Sequence, residues 1–280
     1  MTSGWTQRIA PGEDGYPRRL SDVRGVQPTL HVAGTLRESS PTVAIVGSRA
    51  AASDAMAMAG RLARHVAARG GVVVSGGAIG IDTAAHQGAL AGGGPTTVVL
   101  GTGLDVLYPE RNAPLFAAVV AAGGALVSMF PPGSGPRAGH FVRRNALVAA
   151  LADAVVVVAA TGTSGSLHTA GHARRFGRAL AAVPGTAGTR ALLSAGAAAV
   201  TSPDDLDRVL AGAPPATVRP PLAGELARAH AALDPRLPRD AGDVADQLGL
   251  SLARAMSLLS DLEATGWAFA VPGSAYVRAP

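Results

Sequence analysis

The sequence predicts an α/β protein: an extended Rossmann-like, doubly wound, mostly parallel sheet followed by a small winged-helix domain. Three observations carry this expectation. From Thr42 to about Leu210, short β-branched or apolar runs alternate with alanine-rich stretches of helical length. Those runs are nearly continuously hydrophobic, which suggests strands buried on both faces. After a proline-rich stretch, two short helical patterns and one hairpin pattern follow.

Residues 1–41 read as an irregular lead-in, its segment YPRRLSDVRGVQPTLHVAGTL being too short for a separate domain. In the 42–210 region, strands are expected at Val43–Val46, Val72–Val74, Thr97–Leu100, Ala125–Val127, Ala154–Val158, Leu180–Val183 and Ala198–Val200. Helices or short helical turns are expected between them, at Ser53–Arg69, Asp82–Ala91, Asn112–Ala122, Phe141–Leu151, Ser166–Phe176 and Thr189–Ser194. Right-handed crossovers then place helices on both faces of the sheet. Residues 211–221, AGAPPATVRPP, have the composition of a linker.

In the last unit, 222–280, helices are expected at Gly242–Leu248 and Ser251–Thr265, joined at Gly249, with Leu252, Met256, Leu259 and Leu262 on one face. AFAVPGSAYVR reads as a hairpin turned at Pro272-Gly273-Ser274. Helix, helix and hairpin make a winged helix-turn-helix. Its long helix carries Asp261 and Glu263 against Arg254, so a packing or protein-contact module is expected ahead of a DNA reader.

Composition narrows the chemistry. The 280 residues are 48% hydrophobic, enough for a sizeable core, and contain no cysteine. Disulfides, thiolate nucleophiles and cysteine-based metal sites are thereby excluded. Every basic residue but histidine is arginine, which excludes a Walker lysine, a Schiff base and a Ser-Lys dyad. No membrane span is expected, since Ala146–Ala160 is split by Asp153, and MTSGWTQRIAPGEDG lacks the order of a signal peptide. The expectation is a cytoplasmic protein. Residues 1–210 hold 18 Arg against 12 acidic residues, and residues 211–280 hold 6 against 7. The front of the chain is therefore the part suited to an anionic partner.

The corners that follow the strands say which anion. Helix N-termini gather there with free N–H groups and a positive dipole end, and small residues let a phosphate approach the backbone. Three loops qualify: Gly47-Ser48-Arg49, Ser75-Gly76-Gly77-Ala78-Ile79-Gly80 and Thr163-Ser164-Gly165-Ser166. A fourth, Phe141-Val142-Arg143-Arg144-Asn145, places two guanidiniums at an expected helix start. Together they describe a phosphate or phosphodiester site. GSRAA is not G-x-G-x-x-G and no acidic residue ends the second strand, so no dinucleotide cofactor is expected.

Catalytic parts are missing. Asp82 follows the second loop where a carboxylate caps N–H groups. His168 and His172 have the spacing of two zinc ligands, but Thr-Ala-Gly lies between them and no third ligand is evident, so no metal is expected. GTSGS around Ser164 is not a nucleophile elbow. Asp105 and Glu110 read as turn residues, and no acid-base pair emerges, so the expectation is a binding protein and not an enzyme.

The ordered segments VAIVGSR, SGGAIGIDTAAHQGAL, VVLGTGLDVLYPERN, FVRRNALVAAL and TSGSLHTAGHARRFGRALAAVPG resemble the DNA-processing protein A (DprA, or Smf) family from about Tyr16 to Leu206. The resemblance implies a dimeric protein that binds single-stranded DNA without sequence preference and helps load the RecA recombinase in natural transformation. It implies a DNA pocket at Ser48 and Arg49, at Ser75 to Gly80, at Arg143 to Asn145 and at Ser164 to Ser166. The sequence departs from the family pattern at Ile79 and Ala146, where arginines are customary, and at Met129 and Ala159, where glutamates are. Many members carry an α-helical domain in front, where this sequence has only the lead-in. More distantly, the chain resembles nucleotide-sensing proteins and cytokinin-activating phosphoribohydrolases. A nucleotide sensor is thus the alternative reading, and TSGSLHTA lacks the carboxylate that a hydrolase would need.

Overall fold

Each apolar run forms a strand in the computed structural model, which describes residues 6–23, 25–38, 41–212, 222–265, 267–271 and 274–279. The lead-in contributes β1 (Thr6–Ile9), α1 (Arg18–Ser21) and β2 (Leu30–Gly34). Next come β3 (Thr42–Gly47), α2 (Ser53–Ala68), β4 (Val72–Ser75), α3 (Ile81–Ala91), β5 (Thr96–Leu100), α4 (Ala113–Ala121) and β6 (Ala125–Ser128). The second half runs α5 (Ala138–Ala150), β7 (Ala154–Ala159), α6 (Gly165–Arg175), β8 (Ala179–Ala182), α7 (Ala187–Ser194), β9 (Ala198–Ala199) and α8 (Pro203–Ala211).

The sheet has nine strands in the order β1-β2-β6-β5-β4-β3-β7-β8-β9, and β3 to β9 run parallel to one another. Period-two alternation sorts each strand between two cores. Val43 and Ile45 of β3 meet Leu62 and Val66 of α2 and Ala85 of α3, whereas Ala44 and Val46 face Leu147 and Val148 of α5 and Ala170 of α6.

The lead-in is less irregular than expected. β2 pairs antiparallel with β6, and β1 pairs antiparallel with β2. TQRI has no apolar alternation, so its strand state comes from the open edge of β2, whose backbone groups need partners. Some helices also differ in extent. α5 starts at Ala138, three residues before the expected Phe141, and the 112–122 segment opens as a 3-10 turn at Glu110–Asn112 before α4. α8 was not expected as a separate helix. Ser202 caps it, its Oγ accepting from Asp205 N at 3.3 Å.

The final unit comprises α9 (Gly224–Ala232), β10 (Arg239–Asp240), α10 (Ala241–Leu248), α11 (Leu252–Ala264), β11 (Ala268–Val271) and β12 (Ala275–Arg278), the strands forming an antiparallel sheet β10-β12-β11. Three helices and a wing therefore stand where two helices and a hairpin were expected. Gly249 joins α10 to α11 in the left-handed conformation, φ 65°. The apolar stripe on α11 is shifted from the expected one: Ala255, Leu258, Leu259 and Leu262 are buried against α9 and α10, while Leu252 and Met256 are 56% and 54% exposed. Of the expected linker, residues 213–221 lie outside the described residues, as do Pro272 and Gly273 of the expected turn. Among the described residues no helix is long and apolar enough to cross a membrane.

β3 sits between β4 and β7, and the chain leaves it toward α2 on one face but leaves β7 toward α6 on the other. That divergence opens a crevice at the carboxyl ends of the strands.

Candidate nucleic-acid interface

The crevice is a cleft of about 920 Å³. Its floor is the β3–β7 junction, where a β-carbon on Gly47 would lie 2.8 Å from Ala159 O and 2.7 Å from Ile81 Cγ1. Only glycine lets the two strand ends and α3 close together there. Ser48 N then donates to Ala159 O at 2.8 Å, and Arg49 emerges exposed at the rim.

The second loop is braced from within. Asp82, at the start of α3, accepts from Gly76 N at 3.1 Å and Ala78 N at 3.3 Å, so its carboxylate folds the loop before its own helix. Asn112 donates to Gly77 O and Thr83 Oγ1, both at 2.9 Å. Arg144, only 4% exposed, donates to Gly76 O and to Val99 O, the latter at 2.8 Å. A β-carbon on Gly76 would collide with that guanidinium. Burial pushes the Asp82 carboxyl above its usual range, with the Arg144 charge pulling it back. The same burial lowers Arg144, and Asp82 opposes the shift.

Several expected donors are thereby committed to the fold. Ser75 is fully buried and donates to Ile45 O at 2.7 Å. Gly77 takes φ 70° against Val98 and Phe116, and Gly80 takes φ 80° against the Ser48 carbonyl. None of these three lines the cleft. The early start of α5 carries Arg143 and Arg144 into its second turn, not the helix start expected. Arg143 is exposed outside the cleft lining, 5.5 Å over the Phe130 ring.

The cleft does gather Gly47, Ser48, Arg49, Gly76, Arg144, Asn145, Ser164, Gly165 and Ser166. Ser164 caps α6, accepting from Ser166 N at 3.4 Å and sharing a hydroxyl contact with Ser166 at 2.8 Å. Asn145 donates to Gly165 O at 3.1 Å, which anchors that helix start beside α5. The positive end of α6 therefore faces the cleft.

Sequence reasoning assigned no role to four residues that also line it: Tyr108, Arg137, Phe141 and His168. Arg49 lies 5.6 Å over the Phe141 ring, and Tyr108 stands 5.6 Å from the same ring, so two flat apolar surfaces and a cation share one wall. Tyr108 and Phe141 sit inside the quoted motifs, but nothing in linear spacing says that they meet. His168 marks the far wall, its Nδ1 3.5 Å from Glu263 of α11. His172 stacks on Phe176 instead.

A cation on a ring, a helix N-terminus and loops that admit close backbone approach suit an anion carrying a flat group. The family described as DNA recombination-mediator protein A matches residues 7–211. This chain belongs to that family. Protein Smf of Escherichia coli (strain K12) is 36% identical over 291 aligned residues, covering 96% of this chain and 76% of its own length. A putative DNA processing protein DprA of Mycobacterium tuberculosis is 45% identical over 178 residues, 61% of this chain. The chain spans 46% of that relative and 46% of Protein Smf from Synechocystis.

Two DprA structures share the fold. That of Streptococcus pneumoniae superimposes with a TM-score of 0.66 at 35% identity, covering 74% of each chain. That of Helicobacter pylori, described for its single-stranded DNA binding mode, gives 0.67 at 28% identity, covering 75% of this chain and 98% of its own. The positions at which this DprA-family chain departs from the customary pattern are packed differently from one another. Ala146 and Ala159 are buried, the latter directly under Gly47, and Met129 packs against the core. Ile79 is half-buried and lines a small chamber off the cleft with Tyr108 and Phe141.

Proposed function

We propose that the chain binds single-stranded DNA without sequence preference, in the cleft between the β3, β4 and β7 corners. Phosphates lie against the α6 N-terminus, Ser48 and Arg49, and a base rests on the Phe141–Tyr108 wall. Arg49 held over Phe141 at 5.6 Å carries this reading, because it presents a charge for phosphate and a face for a base at one point. Base edges meet no fixed code in such a contact. As a DprA-family member the chain is read as a recombination mediator in natural transformation, acting as a homodimer beside RecA, and as a binding protein without catalysis. The unit 222–280 is read as a separate winged-helix domain, and the site of action as the cytoplasm.

A gel shift with random-sequence single- and double-stranded DNA tests this, and the single strand is expected to shift at lower protein concentration. Equal shifts for both forms, or none, contradict it. The volume of about 920 Å³ also suits one small ligand, which keeps the nucleotide-sensor reading in view. Calorimetry separates the two, since a sensor binds a mononucleotide more tightly than an oligonucleotide.

A further inference from the structure

A second groove, of about 650 Å³, runs between α2 and α3 on the face away from α5 and α6. The two helices touch backbone to backbone: a β-carbon on Gly88 would lie 2.3 Å from Gly60 O. So close a crossing leaves the long side chains beside it as the groove's walls. Arg61 and Arg64 come from α2, one turn apart, and Arg111 comes from the turn before α4. All three are exposed, and among the described residues no carboxylate and no aromatic ring lines the groove.

These arginines differ from others nearby. Arg69, just past the end of α2, pairs with Asp207 at 2.8 Å, and Arg19 pairs with Asp153 at 2.7 Å. Among the described residues Arg64 and Arg111 have no hydrogen-bond or ion-pair partner, and Arg61 reaches only the Met58 sulfur at 3.6 Å. Three unneutralised guanidiniums strung along one groove suit a repeating polyanion better than a single phosphate, which needs converging donors. The groove also adjoins the cleft. Ile79 ends the chamber beside Tyr108 and Phe141 and forms part of the groove wall as well.

We propose that this groove carries the phosphodiester backbone of the same DNA strand as it leaves the cleft past Ile79, held by Arg61, Arg64 and Arg111. The inference rests on the reading of the cleft as a single-strand site and lengthens that site. Without rings the groove contacts phosphates alone, so it adds ionic affinity and no base preference.

The test is fluorescence anisotropy of the full chain with a thymidylate six-mer and a thymidylate thirty-mer. It compares wild type, the R61Q/R64Q/R111Q variant and Arg49→Ala. The triple variant is expected to bind the thirty-mer roughly tenfold more weakly, with a salt slope shallower by about 2, at ~0.7 per phosphate contact. Its six-mer affinity should stay within twofold of wild type. Unchanged thirty-mer affinity and slope, or an equal loss with the six-mer, would overturn the groove. Arg49→Ala separates the two readings: if it weakens six-mer binding while the triple variant changes nothing, only the groove falls. If Arg49→Ala changes neither oligonucleotide, the cleft reading falls, and with it the path that joins cleft to groove.

Discussion

Arg49, Arg143 and Arg144 are alike in the sequence, each beside a small or polar residue in a strand-end motif, and burial gives them three fates. Arg49 stays exposed on the Phe141 ring, Arg143 lies over Phe130 beyond the cleft lining, and Arg144 is sealed beneath Gly76. Removing Arg144 strips two carbonyls of their donor and leaves Asp82 buried without its counter-charge. Arg144→Ala should therefore destabilise the fold by about 3–5 kcal/mol, the usual cost of breaking a buried pair from one side. Arg49→Ala should leave stability unchanged and weaken single-strand binding by roughly 1.5–3 kcal/mol. Urea unfolding beside oligonucleotide titration measures both, and an Arg144→Ala protein as stable as wild type would remove the structural role given to it. Asp82 was legible as a capping carboxylate, whereas its engagement with Arg144 was not, because 62 positions of chain separate them.

At the level of elements, the parallel strands were readable because each is a nearly continuous apolar run, and the strands in the middle of the sheet are buried on both faces, which leaves them little other composition. β1 was unreadable for the opposite reason: its polar residues become a strand only against a neighbour. The docking of α11 on α6 is likewise invisible in one dimension. There His168 faces Glu263, with His172 on its own helix and Arg175 nearby. The Glu263 hydrogen bond raises His168 above the usual 6.5, while burial holds His172 down at about 4 and so neutral. A raised folded value means that the pairing contributes fully below pH 6.5 and is lost as pH rises through that higher value. An NMR titration of His168 should show a midpoint above 6.5 that falls back in Glu263→Gln. A midpoint at or below 6.5 in the wild type would mean that the contact does not hold the two elements together.

For the whole molecule the quantity that matters is how many free charges lie along the proposed strand path. From motifs alone three or four contacts are expected, a salt slope of about −2 to −3 at ~0.7 per phosphate. Along the proposed path Arg144 is buried and Arg143 lies outside the cleft lining, while Arg49 and Arg137 line the cleft and Arg61, Arg64 and Arg111 line the groove. With about five contacts, the slope for a long single strand should be about −3.5. A filter-binding series that stays flat with salt would show that rings and amide groups, not guanidiniums, hold the DNA.

What the amino-acid order settled by itself was local: the strands, the helices between them, and the small-residue corners whose backbone admits an anion. Composition and period are properties of neighbours in the chain, so they survive without coordinates. Tertiary structure alone decided which polar groups remain free, because that depends on what folds over them. Ser75, Arg144 and Asp82 turned inward to brace the corner, and Phe141, Tyr108 and the α2 arginines were brought to its edge by elements far away in sequence.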